Sequence, residues 1–158
     1  MRNLNNYIQE GLKVNSNSKF TKSISTIDDF ISKYQKEIYR KEIKDNFITI
    51  KLKKGSEIGN NFNNLLYASK DYHERLIKII QNGTYYTINI TQLEKRDMSI
   101  IIIKNELVHN SINIYIEKLI YDNTCRINIV DPYNILDKDM EKLIVKIFTY
   151  LIENPIDD

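Results

Sequence analysis

The stretch from residue 84 to residue 130 constrains the fold more than any other part of the chain. It holds four segments of alternating apolar and polar residues, 84–91, 98–104, 111–121 and 124–130. Between them lie only Glu94-Lys95-Arg96-Asp97, a corner at 108–110 and Asp122-Asn123. Parallel neighbours need a long crossover, so connections this short force consecutive strands to run antiparallel as a meander. In the third segment Ile112, Ile114 and Ile116 share one side, while Ser111, Asn113, Tyr115 and Glu117 share the other. One face of the sheet should therefore pack and the other meet water. Ile100 to Ile103 are apolar in both phases, which predicts a central strand with an element laid over part of its outer face.

The flanking segments follow a helical period. Thr26 and Asp29 stand at capping-box spacing ahead of Ile27, Phe30, Ile31, Tyr34 and Ile38, with Lys33, Lys36, Arg40 and Lys41 on the opposite face. Alternation at Phe47, Ile48, Ile50 and Leu52 predicts a strand over 46–53, closed by Gly55. Phe62, Leu66, Ser69, His73, Leu76 and Ile80 then predict one long helix over 60–81, stopped by Gly83. After Asp131-Pro132, Asp137 caps a last helix whose stripe is Met140, Leu143, Ile144, Ile147 and Leu151. The expected fold class is α+β: a mainly antiparallel sheet, a four-strand meander plus one strand, with the helices packed on one side. Residues 1–22 read as an amphipathic leader and polar joint, and 23–158 as a single domain.

Composition narrows the function classes. The chain has 158 residues and 42% hydrophobic residues, enough for an ordinary core. Its lone Cys125 can form no internal disulfide, and its net charge of +2 is too mild to call for nucleic acid. No segment approaches the about 18 apolar residues of a membrane span, so no membrane association is expected. Ile, Asn and Lys, with AT-rich codons, are abundant, so the count of 11 tyrosines carries no binding signal.

Few residues could carry chemistry. His73 lies on a helical stripe with no second metal ligand at i+4 spacing, which reads as a core or boundary histidine. His109 opens one strand and Asp131 closes the next, so the two could meet across a hairpin. Led by His109, Ile112 and Ile114 and ended by Asp131-Pro132, this hairpin resembles part of thiol peptidases and transglutaminase-like enzymes. That resemblance implies a small hydrolase using His109 and Asp131. The chain departs from it where a nucleophilic cysteine should begin an upstream helix: Ser56, Gly59 and Asn60 stand there. Ser56, Glu57, Asn60 and Asn61 could rim a polar site, though such a run is usually a loop. The glycines lack phosphate-loop order, and no residue set calls for a cofactor or a metal.

The N-terminal run supplies the remaining signal. Leu4, Tyr7, Ile8 and Leu12 form a narrow helical stripe before the polar run Asn15-Ser16-Asn17-Ser18. With Glu10, Val14-Asn15 and Asn17-Ser18-Lys19, this segment resembles a leader shared by small proteins of tailed bacteriophages, notably crAss-like phages of gut Bacteroidales. It is also similar to the aromatic-Ile-x-Glu leader that targets internal head proteins of some tailed phages into the prohead and is cut after the glutamate; here that bond is Glu10–Gly11. The resemblance covers about the first 19 residues. It implies a phage protein of the host cytoplasm or the virion.

The reading that follows is a non-enzymatic phage protein. Leu4, Tyr7, Ile8 and Leu12 act as a targeting or docking tag for virion packaging, and the α+β body binds a phage or host protein. The alternatives are the small hydrolase and a host-directed accessory inhibitor. A nucleic-acid binder using Lys33, Lys36, Arg40, Lys41 and Lys44 is less favoured, because basic surface runs are common without nucleic acid.

Overall fold

The computed structural model describes residues 24–120 and 124–156. Leu4, Tyr7, Ile8, Glu10, Gly11 and Leu12 lie outside the described residues. The described chain folds as helices over one face of a six-stranded antiparallel sheet, confirming the expected α+β class.

The meander is present as expected. Strands β3 (Tyr86–Leu93), β4 (Met98–Asn105), β5 (Asn110–Leu119) and β6 (Thr124–Val130) pair in sequence order. The earlier strand β2 (Phe47–Leu52) adds to β6, with Ile50 opposite Ile127. A sixth strand, β1 (Ile38–Ile43), pairs with β2 at one edge, giving the order β1-β2-β6-β5-β4-β3.

β1 corrects the sequence reading, which ran the first helix through Ile38 to Lys41. Helix α1 covers only Ile27–Lys33; it ends at Tyr34, and a 3-10 turn over Gln35–Glu37 redirects the chain. Ile38 fits the helical phase of Tyr34 and fits equally well opposite Leu52 on β2. The rest of β1 is exposed on both faces, so no alternation marks it as a strand.

The predicted helix over 60–81 is two helices. α2 (Glu57–Asn63) begins at Ser56, whose hydroxyl accepts from the Gly59 amide at 3.0 Å. A 3-10 turn over Asn64–Tyr67 follows, and Ser69 then caps α3 (Lys70–Gln81) by accepting from the Tyr72 amide at 3.1 Å. Across the break the Gln92 Nε2 of β3 lies 2.9, 2.7 and 3.2 Å from the carbonyls of Leu65, Leu66 and Ala68. Two helical phases that nearly coincide looked like one helix in the sequence.

The last helix, α4 (Lys138–Glu153), starts at Asp137, whose carboxylate accepts from the Met140 amide at 2.8 Å. It is the centre of the core. Phe148 meets Phe30 of α1 at 5.2 Å and Phe62 of α2 at 5.4 Å between ring centroids. Beneath lie the inward rows of the sheet, Ile50, Ile101, Ile103, Ile112, Ile114, Ile116, Ile127 and Ile129, all buried. Each such isoleucine contributes about 1.5–3 kcal/mol by leaving water. Gly59 lets α2 sit close to the sheet: a Cβ there would lie 3.4 Å from Leu52 and 3.5 Å from Cys125.

Candidate functional site

The residues singled out for catalysis do not converge. His109 closes the turn between β4 and β5 in the left-handed region, with φ 61°. Its amide donates to the Asn105 carbonyl at 2.8 Å, and histidine is among the residues that tolerate this conformation. Asn113 pairs with Val130, so Asp131 is level with Ile112, and His109 lies three residues before Ile112, in the turn ahead of β5. At ~3.3 Å per residue the offset is about 10 Å.

The Asp131 carboxylate is already committed. It is buried and accepts from the amides of Ile135 at 2.9 Å and Leu136 at 3.0 Å, while its own amide donates to the Asn46 carbonyl. Those bonds pin the turn that leads from β6 into α4. Cys125 faces the core, and burial pushes its thiol up, away from the thiolate a nucleophile needs. Ser56 caps α2 and donates to Glu37 at 3.0 Å, and Asn61 donates to the Ile152 carbonyl at 3.4 Å, so both serve packing. His73 is half-buried at the edge of a stripe made by Tyr72, Leu76 and Ile80. Burial holds it below the usual histidine range, partly opposed by its hydrogen bond to the Leu65 backbone.

The most developed surface is the outer face of the sheet. In the strand phase opposite the core stand Phe47 on β2, Val130 on β6, Tyr115 on β5, Met98, Ile100 and Ile102 on β4 and Leu93 on β3, each half-buried. The sequence reading expected an element over the central strand; among the described residues none lies on this face, and the four helices pack on the other. The band includes a shallow depression of about 520 Å³ between Phe47, Met98, Tyr115 and Val130.

Beside the apolar band runs a polar ladder. Thr49 donates to Asn128 Oδ1 at 2.7 Å, and Asn128 donates to Glu117 Oε1 at 2.8 Å. Arg126 holds both oxygens of Glu117, at 3.0 and 3.3 Å. The register then sets Arg126 opposite Lys51 and Lys51 opposite Arg40, a row of cations on three neighbouring strands. Sequence reasoning noted Phe47, Tyr115, Glu117 and Ile100–Ile103 but missed Val130, Lys51 and Arg126 and gave Met98 no role beyond starting a strand. Their signal was the second phase of each strand, which becomes a surface only when the strand order is known.

Among the described residues a groove of about 550 Å³ is lined by Ile24, Ile79, Lys142 and Lys146, and another of about 540 Å³ by Tyr67, Arg75, Tyr150 and Pro155. Among the described residues no cluster of His, Cys, Asp and Glu could hold a metal, and no helix is long and apolar enough to cross a membrane. Comparison with protein-family models, with curated proteins and with solved structures finds no match to this chain.

Proposed function

We propose that this is a non-enzymatic bacteriophage protein that acts by binding another protein through the open face of its sheet. One observation carries the binding reading: a continuous apolar band from Phe47 to Leu93 with no described element over it. Side chains of this kind favour a covered state, and contiguous exposed apolar patches mark interaction sites. The non-enzymatic reading is supported by the commitments of Asp131 and Cys125 to structure. The phage setting, in the host cytoplasm or the virion, and the role of Leu4, Tyr7, Ile8 and Leu12 as a tag rest on the leader resemblance.

Two measurements test this reading. Cross-linking of the tagged full chain in infected cells, compared with Ile100→Asp, should show a partner that the variant loses while its circular dichroism stays unchanged. Identical cross-links from both proteins would dismiss the sheet face. Mass spectrometry of purified particles should find a peptide beginning at Gly11. The intact chain, present only in lysate, would dismiss packaging and leave a host-directed protein.

A further inference from the structure

We propose that the groove beside Ile24 is the docking site of the chain's own N-terminal segment, residues 4–12, with Leu4, Tyr7, Ile8 and Leu12 seated against Ile79. This contact is independent of the open sheet face and of any phage setting.

The occupant follows from where the described chain begins. Ile24 lines the groove together with Ile79 and Ile80 of α3 and Lys142 and Lys146 of α4. Ile24 also packs on the core, and just beyond it the Ile27 amide donates to Glu141 Oε2 on α4 at 3.1 Å. Those contacts fix the point at which the preceding residues leave the body, and that point is the wall of the groove. Residues 13–23 join it to the segment, and a linker of that length reaches at most about 40 Å. A segment tethered this way meets the groove at an effective concentration on the order of millimolar, which a separate partner or a second copy at micromolar concentration does not match.

The two surfaces agree in character. Ile79 is an isoleucine left 48% exposed, and Ile24 in the same groove is half-buried. In the segment, Leu4, Tyr7, Ile8 and Leu12 share one face at helical period. A stripe this short is marginal as an isolated helix and needs a surface to pack on. Charge agrees as well. Glu10 is the one charged side chain between Leu4 and Leu12, and Lys33, Lys142 and Lys146 outnumber Glu153 in the groove wall. Arg2 and Lys13 fall outside the two ends of the stripe. The open sheet face is a poorer site, because it lies on the side of the sheet away from the helices and the segment would have to pass around an edge to reach it.

The consequence is regulatory. The four stripe residues cannot serve the groove and an outside partner at once, so any protein that captures them must first displace them from the body.

Amide exchange of the full chain, read by mass spectrometry over residues 4–12, tests the contact. Exchange is expected to be roughly tenfold slower than in a free synthetic peptide of residues 1–14, and Ile79→Asp should restore the free-peptide rate. Free-peptide rates in the wild type would overturn the docking, and protection that survives Ile79→Asp would overturn the groove as its site. Disulfide trapping keeps the test open should Ile79→Asp fold poorly. Under mild oxidation by glutathione disulfide, Ile8→Cys with Ile79→Cys should close a bond within one chain, with a yield independent of protein concentration. Cys125 is buried and does not compete. A bond formed only between chains would overturn the tethered segment in favour of a second copy. Trapping of Ile8→Cys by Ile100→Cys in preference to Ile79→Cys would overturn the groove in favour of the sheet face.

Discussion

Arg126 and Glu117 face each other on neighbouring strands and are joined by two bonds, Nε–H to Oε1 at 3.0 Å and Nη2–H to Oε2 at 3.3 Å. The pair sits at the boundary between the cationic row and the apolar band, and Asn128 ties it to β2 through Thr49.

Removing the acid tests how much this ladder stabilises the sheet. Glu117→Ala leaves Asn128 without its acceptor, whereas Arg126, the more exposed partner, can turn to water. The expected loss is about 1–2 kcal/mol in urea unfolding. No change would mean that the ladder is only a surface contact.

Gln92 should matter more than an amide on a strand near the sheet edge usually does. Its Nε2 serves three carbonyls at the break between α2 and α3. Gln92→Ala is expected to cost about 2 kcal/mol, because those carbonyls lose their donor. Gln92→Glu should cost more, since it sets an acceptor against acceptors. Equal unfolding midpoints for both variants and wild type would refute the arrangement.

The catalytic and structural readings of Asp131 part in a double-mutant cycle. Asp131→Ala should lose about 2–3 kcal/mol through its buried amide bonds, and His109→Ala less than about 0.5 kcal/mol. The two changes should add to within about 0.5 kcal/mol. Strong coupling between them would revive a functional pair.

His73 makes stability depend on pH. Burial lowers its folded pKa below the ordinary 6.5, so the unfolded chain binds the proton more readily. Its contribution is complete above the unfolded pKa and is lost as pH falls toward the folded value. Urea midpoints measured downward from neutral pH should therefore drop, and His73→Gln should flatten that part of the profile. A variant that tracks wild type would remove this account.

Gly59 tests how closely α2 must approach the sheet. A Cβ there meets Leu52 and Ser56 at 3.4 Å, a contact that neighbours can accept, and alanine gains helix propensity. Gly59→Ala should change stability by no more than about 1 kcal/mol, whereas Gly59→Leu should overpack the site and cost about 2–3 kcal/mol. Equal tolerance of both would show that α2 can retreat.

The parts legible in the sequence were those whose cause is local. Connections between strands were too short for anything but antiparallel pairing, Thr26 and Asp137 announced helix starts, and the stripe of α4 faces the core as its spacing predicts. β1 was hidden because an edge strand exposed on both faces has no alternation to display. The break at Ala68 was hidden because the donor that stabilises it, Gln92, is distant in sequence.

By itself, then, the sequence determined the antiparallel meander, the side on which the helices lie and the commitment of one strand phase to the core. Local hydrogen bonding, turn length and hydrophobic periodicity are sufficient causes for these. Only the tertiary structure decided which residues share the outer face. Phe47 lies beside Val130 because β2 adds to β6, and Lys51 stands between Arg40 and Arg126 because β1 then adds to β2. Those pairings join segments far apart in the chain, where the entropy of closing a long loop is repaid by the whole core and no local pattern records the outcome.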